Sequence, residues 1–344
     1  METDELASRL QSFLRLRGLV DAVVGDLAPL TGGYSLVTTK FDVTTDGATR
    51  TYVLRTDQPA DATLVGTDRA REWAVLDTLS RSGSVPMPAA KWADVTGEHL
   101  GRPSIISEFV DGPQLLGHLH ATDPSEHPGL ALQLAETIGV VHKLGGELIG
   151  ETLTRPPTWD HYVDEYVAGW RGVEQGHVER DPFIRWVANW LDKNRPAAAP
   201  LTLVHGEFQT GNVMLDSSGA MRVIDWEYAH IGDPRADLGW VQTCAAFAPP
   251  DPIALDPVGF CRRYCEITGL TEDIINPISI GWFAILAGYK SLGGLINGIG
   301  AMAKGTNHLL TSAYLVSAIP LSHKIWRENV AAMQAAMTQM MEQL

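Results

Sequence analysis

The residues that most constrain the fold of this 344-residue chain run from 203 to 239, where short apolar segments alternate with polar ones. Residues 213–215 and 221–224 are predicted to form two short strands. The segment 216–219 between them ends in glycine and is typical of a hairpin turn, because glycine readily adopts the positive φ that such a turn needs. The pattern therefore predicts a hairpin with polar residues at its strand ends.

Three oxygen-bearing side chains stand next to these predicted strands. Glu207 follows an apolar run, Asn212 precedes the hairpin, and Asp225 follows it. We expect the hairpin to carry all three towards one small region. Carboxylate and amide oxygens are hard ligands that suit a divalent cation, and so small a set leaves room for water and phosphate oxygens. The stretch is therefore a candidate site for a metal ion and a polyphosphate.

The strings HGEFQTGN, IDWE and GDPRADL in this stretch resemble the motifs of the aminoglycoside phosphotransferase-like family, which are small-molecule kinases. The resemblance implies an α+β, protein-kinase-like two-lobe fold. Its N-terminal lobe would be an antiparallel β-sheet with one helix, and its larger C-terminal lobe would be mainly helical. Within the family, the chain is most similar to the branch associated with acyl-CoA dehydrogenases.

The same resemblance assigns catalytic roles. It implies a catalytic set made up of His205, Glu207, Asn212 and Asp225. Glu207 would accept the proton of the substrate hydroxyl, while Asn212 and Asp225 would bind Mg²⁺. The family usually has Asp where this chain has Glu207. One extra methylene moves the carboxylate by roughly 1 Å, so the resemblance implies an altered acceptor site around Glu207.

Two segments of the N-terminal third resemble the phosphate-binding parts of the family. Gly33 and Ser35 lie in a glycine-containing turn between two predicted strands, which would cover the nucleotide phosphates. Arg55 ends the next strand, at the position of the phosphate-pairing lysine of kinases, and its planar fork suits phosphate oxygens. Glu72, on a predicted helix, is the natural partner of Arg55. The alternative for Glu72 is a solvated helix face.

A further segment, 105–112, resembles the hinge that holds adenine through backbone groups near Glu108 and Val110. Strand-like patterns give way to helical ones after it. We therefore predict two domains, an N-terminal nucleotide-binding lobe over 1–111 and a C-terminal lobe over 112–344 with the catalytic loop and the acceptor site.

Apolar spacing predicts helices on both sides of the central stretch. Within the last of these segments, the aromatic residues from Trp282 onward either pack the core or line an acceptor pocket. His142 is predicted to be a packing residue, and Asp237 is predicted to bind backbone N–H groups at the start of its helix or, by the resemblance, to brace the catalytic loop. The predicted helical segments are 4–24 (with the helix ending near Gly18), 130–144, 159–173, 181–194 and much of 241–344.

Composition limits the class of protein. With 45% hydrophobic residues, 19% charged residues and a formal net charge of −15, the chain lacks the basic surplus of a nucleic-acid or anionic-membrane binder. Cys244, Cys261 and Cys265 make no disulfide framework, and they are predicted to be small apolar residues on buried helix faces. We expect a cytoplasmic protein without a signal peptide or a membrane span.

The favoured hypothesis is a phosphotransferase that uses ATP and Mg²⁺, with GTP left open, on an alcohol acceptor. The acceptor stays open between an antibiotic, a hydroxyacyl-CoA and another alcohol. The partners expected are this small molecule and, through a methionine-rich C-terminal helix, a second copy of the chain. One alternative is a nucleotide- or ligand-binding pseudokinase. Glu207 and Leu36 support it, because the family has Asp at the first of these positions and Asn at the second. Another is a metal-dependent hydrolase built on His205 and Glu207.

Overall fold

The computed structural model describes residues 3–30, 36–58, 68–176, 182–288, 322–335 and 338–339. The chain forms two compact units, each made of several chain segments. The first unit comprises Met1–Leu115, Leu148–Leu153 and Asn212–Ala229, and the second comprises Leu116–Glu147, Thr154–Gly211 and His230–Leu344. The domain boundary at residue 111 stays a prediction.

The first unit contains a five-stranded antiparallel sheet with strand order β1-β2-β3-β5-β4. The hairpin between β2 and β3 turns at Asp46 and Gly47, both with positive φ (50° and 75°), which is the conformation that an Asp-Gly pair favours in a two-residue hairpin turn. The strands are β1 (Val23–Leu30), β2 (Leu36–Thr45), β3 (Ala48–Asp57), β4 (Ala90–Asp94) and β5 (Ser104–Glu108).

Two helices pack on this sheet. The first, α1 (Thr3–Leu16), buries Leu10 and Phe13 against sheet residues such as Phe41. It ends close to Gly18 (φ 96°), where the sequence predicts the end of this helix and where the chain turns before β1 begins. The second, α2 (Arg69–Ser82), is the helix that the resemblance expects in this lobe.

Local sequence explains the bounds of α2. The Asp68 side chain accepts a hydrogen bond from the Arg71 N–H and caps the N-terminus. Gly83 ends the helix in the left-handed conformation (φ 62°), which glycine adopts without steric cost. The helix buries Arg69 and Glu72 together with Val75, Leu76 and Leu79, so its buried face carries one basic and one acidic group among apolar ones.

The predicted central hairpin also belongs to the first unit. Strands β7 (Val213–Leu215) and β8 (Met221–Val223) pair in antiparallel register, and Gly219 takes the expected positive φ (82°) in the turn between them. The segment after β5 packs closely on this hairpin. A Cβ at Gly112 would collide with the Leu215 carbonyl oxygen, and the Leu215 N–H donates to the Pro113 carbonyl (2.9 Å).

The second unit is mainly helical. Its central stretch supplies β6 (Thr202–Val204), which pairs with β9 (His230–Gly232), a strand that sequence patterning does not predict. The helices are α3 (Leu115–Ala121), α4 (His127–Leu148), α5 (Trp159–Gly176), α6 (Pro182–Lys193), α7 (Arg235–Ala245), α8 (Pro252–Leu255) and α9 (Pro257–Thr268), and residues 277–288 and 322–335 are helical as well.

Aromatic residues fill the core of the second unit. Trp170, Trp282, Phe283 and Trp326 are all buried, with the ring centroids of Trp170 and Trp326 5.6 Å apart. Trp282 and Phe283 were predicted either to pack the core or to line an acceptor pocket, and in the structure both pack in the core. The other aromatic residues of that segment, from Tyr289 onward, and most of the glycine-rich segment lie outside the described residues.

The cysteines are free in the structure, with Cys261 buried and the other two half-buried. Among the helices described, none combines the length and the apolar character that a bilayer crossing requires.

Candidate functional site

Arg55 and Glu72 form an ion pair within the first unit, as the sequence predicts. Arg55 Nη1 donates to Glu72 Oε1 at 2.7 Å. Glu72 is only 2% exposed, so its alternative as a solvated helix residue is wrong. The second terminal nitrogen of Arg55, Nη2, donates to Asp225 Oδ1. The guanidinium therefore bridges a helix carboxylate and the carboxylate predicted to bind metal.

Arg69 is a second buried cation beside this bridge, which sequence reasoning missed. It donates to the other oxygen of Glu72 and, through Nε, to Asp57 Oδ1 at 2.9 Å. Its Nη2 lies 3.9 Å from Glu227 Oε2. A basic residue three positions before Glu72 on the same helix was the available signal, because residues so spaced share a helix face. We call Arg55, Arg69, Asp57, Glu72, Asp225 and Glu227 the arginine–carboxylate cluster.

The central hairpin holds Asn212 next to Asp225. The Ile224 N–H donates to the Asn212 carbonyl oxygen at 2.9 Å, one step beyond the paired residues Val213 and Val223. Asp225 itself has φ 71°, a conformation that non-glycine residues rarely adopt. The hairpin therefore places the backbone of Asn212 next to that of Ile224 and Asp225.

The arginine–carboxylate cluster carries surplus negative charge, since its four carboxyl groups face two guanidinium groups. Burial, together with the neighbouring charge of Asp225, raises the pKa of Glu227 to about 7. Burial opposes the charged form of Arg55, but Asp225 and Glu72 outweigh it and raise the pKa of Arg55 above its ordinary value.

A divalent cation fits this chemistry. Carboxylate oxygens of Asp225 and Glu227 lie within 4.8 Å of each other. Asn212, fixed beside Asp225, adds an amide oxygen of the kind that Mg²⁺ accepts. The surplus negative charge of the cluster is of the sign that a cation neutralises. These residues of the first unit could therefore hold the predicted metal.

In the second unit, Asp237 binds the backbone of the loop that carries the HGE motif. It accepts hydrogen bonds from the N–H groups of His205 (2.7 Å) and Gly206 (2.9 Å). It lies in the first turn of α7, yet these bonds go to the loop, so bracing is the role that the geometry supports. Burial opposes the carboxylate, but His142 and the backbone bonds lower the pKa of Asp237 below its ordinary value.

His142 completes this arrangement from α4. Its Nε2 lies 3.0 Å from Asp237 Oδ2 and its Nδ1 lies 2.6 Å from the hydroxyl of Tyr264, and all three side chains are buried. Both ring nitrogens therefore have partners within the protein, in agreement with a structural role for His142. We call His142, His205, Gly206, Asp237 and Tyr264 the loop brace. Nothing in the sequence around Tyr264 signals its part in it.

Glu207 follows directly from the braced residues. Its N–H donates to His205 Nδ1 at 3.3 Å. Burial, and then the charge of Glu207, raise the pKa of the Cys244 thiol to about 12. His205 is fully buried. Among the described residues, no group of three or more possible metal ligands includes a histidine, so the structure offers no support for the hydrolase hypothesis.

The predicted hinge follows β5. The Glu108 N–H donates to the Ala89 carbonyl at 3.0 Å, and the Glu108 side chain pairs with Lys91 at 2.7 Å. An adenine held at Glu108 would therefore use its carbonyl oxygen. Val110 is half-buried beyond the strand. Gly33 and Ser35 lie outside the described residues.

Residues 26–271 match the family model described as the Phosphotransferase enzyme family. Among curated proteins, the chain is 26% identical over 257 residues to the Arabidopsis thaliana protein named Probable acyl-CoA dehydrogenase IBR3, covering 71% of this chain and 30% of that protein. It is 27% identical over 269 residues to Acyl-CoA dehydrogenase family member 11 of Pongo abelii, covering 73% of this chain and 33% of that protein. The chain thus spans about a third of the length of these relatives.

Solved structures share the fold. A Ralstonia eutropha protein assigned as a candidate aminoglycoside phosphotransferase has a TM-score of 0.68 at 21% identity, covering 94% of this chain and 98% of that one. The GDP complex of aminoglycoside 2'-phosphotransferase-IIIa has a TM-score of 0.62 at 14% identity, covering 92% and 98%. A mutant aminoglycoside phosphotransferase bound to ADP and hygromycin B has a TM-score of 0.56 at 20% identity, covering 89% and 98%. These likenesses confirm the predicted α+β, protein-kinase-like two-lobe fold.

Proposed function

Because the chain belongs to the phosphotransferase enzyme family, we propose that it transfers the γ-phosphoryl group of a nucleoside triphosphate to a hydroxyl group of a small molecule. The observation that carries this proposal is the bridge made by Arg55 between Glu72 and Asp225. A half-buried guanidinium beside a helix carboxylate and a candidate metal ligand is equipped to bind phosphate oxygens.

Arg55 pairs with the nucleotide phosphates in this proposal, and Glu72 holds it in place. An arginine fork offers two parallel N–H donors to phosphate, and a fixed guanidinium loses less conformational entropy on binding than a free one. Gly33 and Ser35 cover the phosphates, and the backbone at Glu108 and Val110 holds the base. The relatives solved with GDP and ADP support nucleotide use, and ATP is the nucleotide we propose.

Asn212 and Asp225 hold Mg²⁺, with Glu227 close enough to Asp225 to assist. When bound, the ion supplies charge neutralisation of the transferring phosphoryl group. The protein side of this chemistry is positioning. The β7–β8 hairpin fixes the backbone of Asn212 next to Ile224, the residue before Asp225, so the chain positions that carry the two ligands are set before a cation binds.

Glu207 orients the acceptor hydroxyl and takes its proton. A carboxylate is a suitable base for a hydroxyl that loses its proton as the phosphoryl group arrives. Asp237 fixes the backbone of His205 and Gly206 immediately before Glu207. The position of the base is thus set by a buried group that does not itself touch substrate.

The acceptor we propose is a small alcohol. The curated relatives are named as acyl-CoA dehydrogenases and one solved relative was crystallised with hygromycin B, so hydroxyacyl-CoA esters and aminoglycosides are the two classes to test first.

The experiment is a phosphotransfer assay with purified protein, [γ-³²P]ATP or GTP, Mg²⁺ and a panel of hydroxyacyl-CoA esters, aminoglycosides and simple alcohols. We expect one class to be labelled by the wild type. Glu207→Ala should lower this labelling by about 100-fold or more, because proton transfer by a positioned group contributes typically that much. Nucleotide affinity should be unchanged.

Glu147→Ala is the matched control, since Glu147 is an exposed glutamate at the end of α4, and it should label the acceptor like the wild type. Nucleotide binding without labelling across the whole panel would favour the pseudokinase. Full labelling by Glu207→Ala would remove the proposed role of Glu207.

A further inference from the structure

Arg55 makes two contacts that the proposed reaction cannot keep together. It pairs with Glu72, which the reaction needs, and with Asp225, whose carboxylate the metal needs. The guanidinium and a divalent cation compete for the same carboxylate, because both are cations and Asp225 offers only two oxygens. A guanidinium held on Asp225 therefore weakens metal binding at this carboxylate.

We propose that Arg55 is a nucleotide-operated guard of Asp225. With no nucleotide bound, its guanidinium neutralises Asp225 and opposes metal binding. Nucleotide phosphates draw the same guanidinium away and release the carboxylate, so nucleotide and metal bind cooperatively. This proposal rests on the proposed function and adds an order of binding to it.

Arg69 lowers the free-energy cost of moving Arg55 from Asp225 to the phosphates. It donates to the oxygen of Glu72 that Arg55 does not use, and it also binds Asp57. Arg69 is 3% exposed, so it is held firmly against Glu72 and Asp57. Glu72 therefore stays fixed and partly neutralised when Arg55 shifts towards phosphate. It continues to accept the hydrogen bond from Arg55 Nη1 during this shift. Arg69 is thus a positioning residue for Arg55.

The charge balance of the cluster supports exchange of one cation for another. Without Arg55 on Asp225, the carboxylates of Asp225 and Glu227, within 4.8 Å of each other, would repel more strongly, although Arg69 lies 3.9 Å from Glu227. A cation on Asp225 relieves this repulsion. In our proposal Arg55 is that cation when no nucleotide is bound, and the metal takes its place when phosphates hold Arg55.

Coupling of this kind must be reciprocal. If nucleotide increases the affinity for metal by a given factor, metal increases the affinity for nucleotide by the same factor. A charged hydrogen bond of the Arg55–Asp225 type is of a size that changes metal affinity by about ten-fold. Removing the guanidinium should therefore both tighten metal binding to the empty protein and reduce the coupling.

The test measures Mn²⁺ binding by the EPR signal of the free ion, without any turnover. Wild type, Arg55→Met and Arg50→Met are titrated with and without a saturating non-hydrolysable ATP analogue. We expect Arg55→Met to bind Mn²⁺ about ten-fold more tightly than wild type when nucleotide is absent. We also expect the analogue to tighten Mn²⁺ binding about ten-fold less in Arg55→Met than in wild type. Arg50 lies exposed on the same strand, so Arg50→Met should behave like wild type in both titrations.

The two titrations separate the guard from a simple charge effect. Loss of a nearby positive charge alone would tighten Mn²⁺ binding equally with and without nucleotide, and that result would overturn the proposal. Equal Mn²⁺ affinities of Arg55→Met and wild type without nucleotide would overturn it as well, while leaving the proposed function intact. Failure of all three proteins to bind either Mn²⁺ or the analogue would overturn both.

Discussion

The arginine–carboxylate cluster of the first unit and the loop brace of the second both contain buried acidic groups, but different partners stabilise the charge of these groups. In the loop brace, Asp237 receives two backbone N–H groups and a histidine, and that histidine is held in turn by Tyr264. In the cluster, four carboxyl groups share two arginines, and Arg55 divides itself between two of them.

The difference indicates which region is scaffold and which responds to ligands. Burial of a charge is tolerated when its hydrogen bonds are complete, and such a network is stiff because every member has a fixed partner. A cluster with surplus charge is relieved when a cation arrives. We therefore expect stability to depend most on the loop brace, and ligand binding to depend most on the cluster.

Asp237→Asn should give the largest loss of stability. The amide keeps one acceptor oxygen but loses the charge that the two loop N–H groups and His142 stabilise, and breaking a buried charged network costs about 3 kcal/mol. Urea unfolding of the empty protein measures this change. Asp160→Asn is the matched control, because Asp160 lies in the first turn of α5 with an exposed side chain. A loss no larger than that of the control would mean that the loop brace is not the scaffold.

Glu72→Gln should cost less, about 2 kcal/mol in the same experiment, because both arginines keep other acidic partners in Asp57, Asp225 and Glu227. Glu5→Gln is the control, since Glu5 is an exposed helix glutamate paired with Arg9. Nucleotide affinity should fall in Glu72→Gln and stay unchanged in Glu5→Gln. A greater loss of stability than that of Asp237→Asn would reverse the comparison between the two regions.

The smallest expected effect is a change in how the stability of the protein declines with falling pH. The pKa of Asp237 is lowered in the folded protein, so near its ordinary value of 3.8 the unfolded chain binds more protons than the folded one. The stabilisation by Asp237 is therefore present above that pH and is lost as the pH falls through the folded pKa. Unfolding midpoints between pH 6 and pH 3 should decline less steeply for Asp237→Asn than for wild type or Asp160→Asn. Parallel declines would show that the carboxylate is not specifically stabilised.

Local sequence was enough to predict those elements whose geometry depends on residues close together in the chain. The Asp-Gly turn, the Gly219 turn and the capped helix α2 follow from residues that are adjacent in the chain, because turn and cap geometries depend on near neighbours. The pairing of Arg55 with Glu72 was also predictable, but only because the strings around both residues resemble a known family. The same resemblance gave the fold class.

Only the tertiary structure decided which charged and polar side chains pair with one another. Arg55 and Asp225 are 170 positions apart, and His142 and Tyr264 are 122 apart. Contacts at such separations depend on how sheet, hairpin and helices pack, for which no turn or periodicity gives a signal. The sequence by itself thus determined which acids and bases the protein has for phosphotransfer chemistry and the local elements that carry them. Only the fold decided that Asp237 has complete partners while Asp225 shares Arg55, because burial and neighbouring charge are properties of the packed chain.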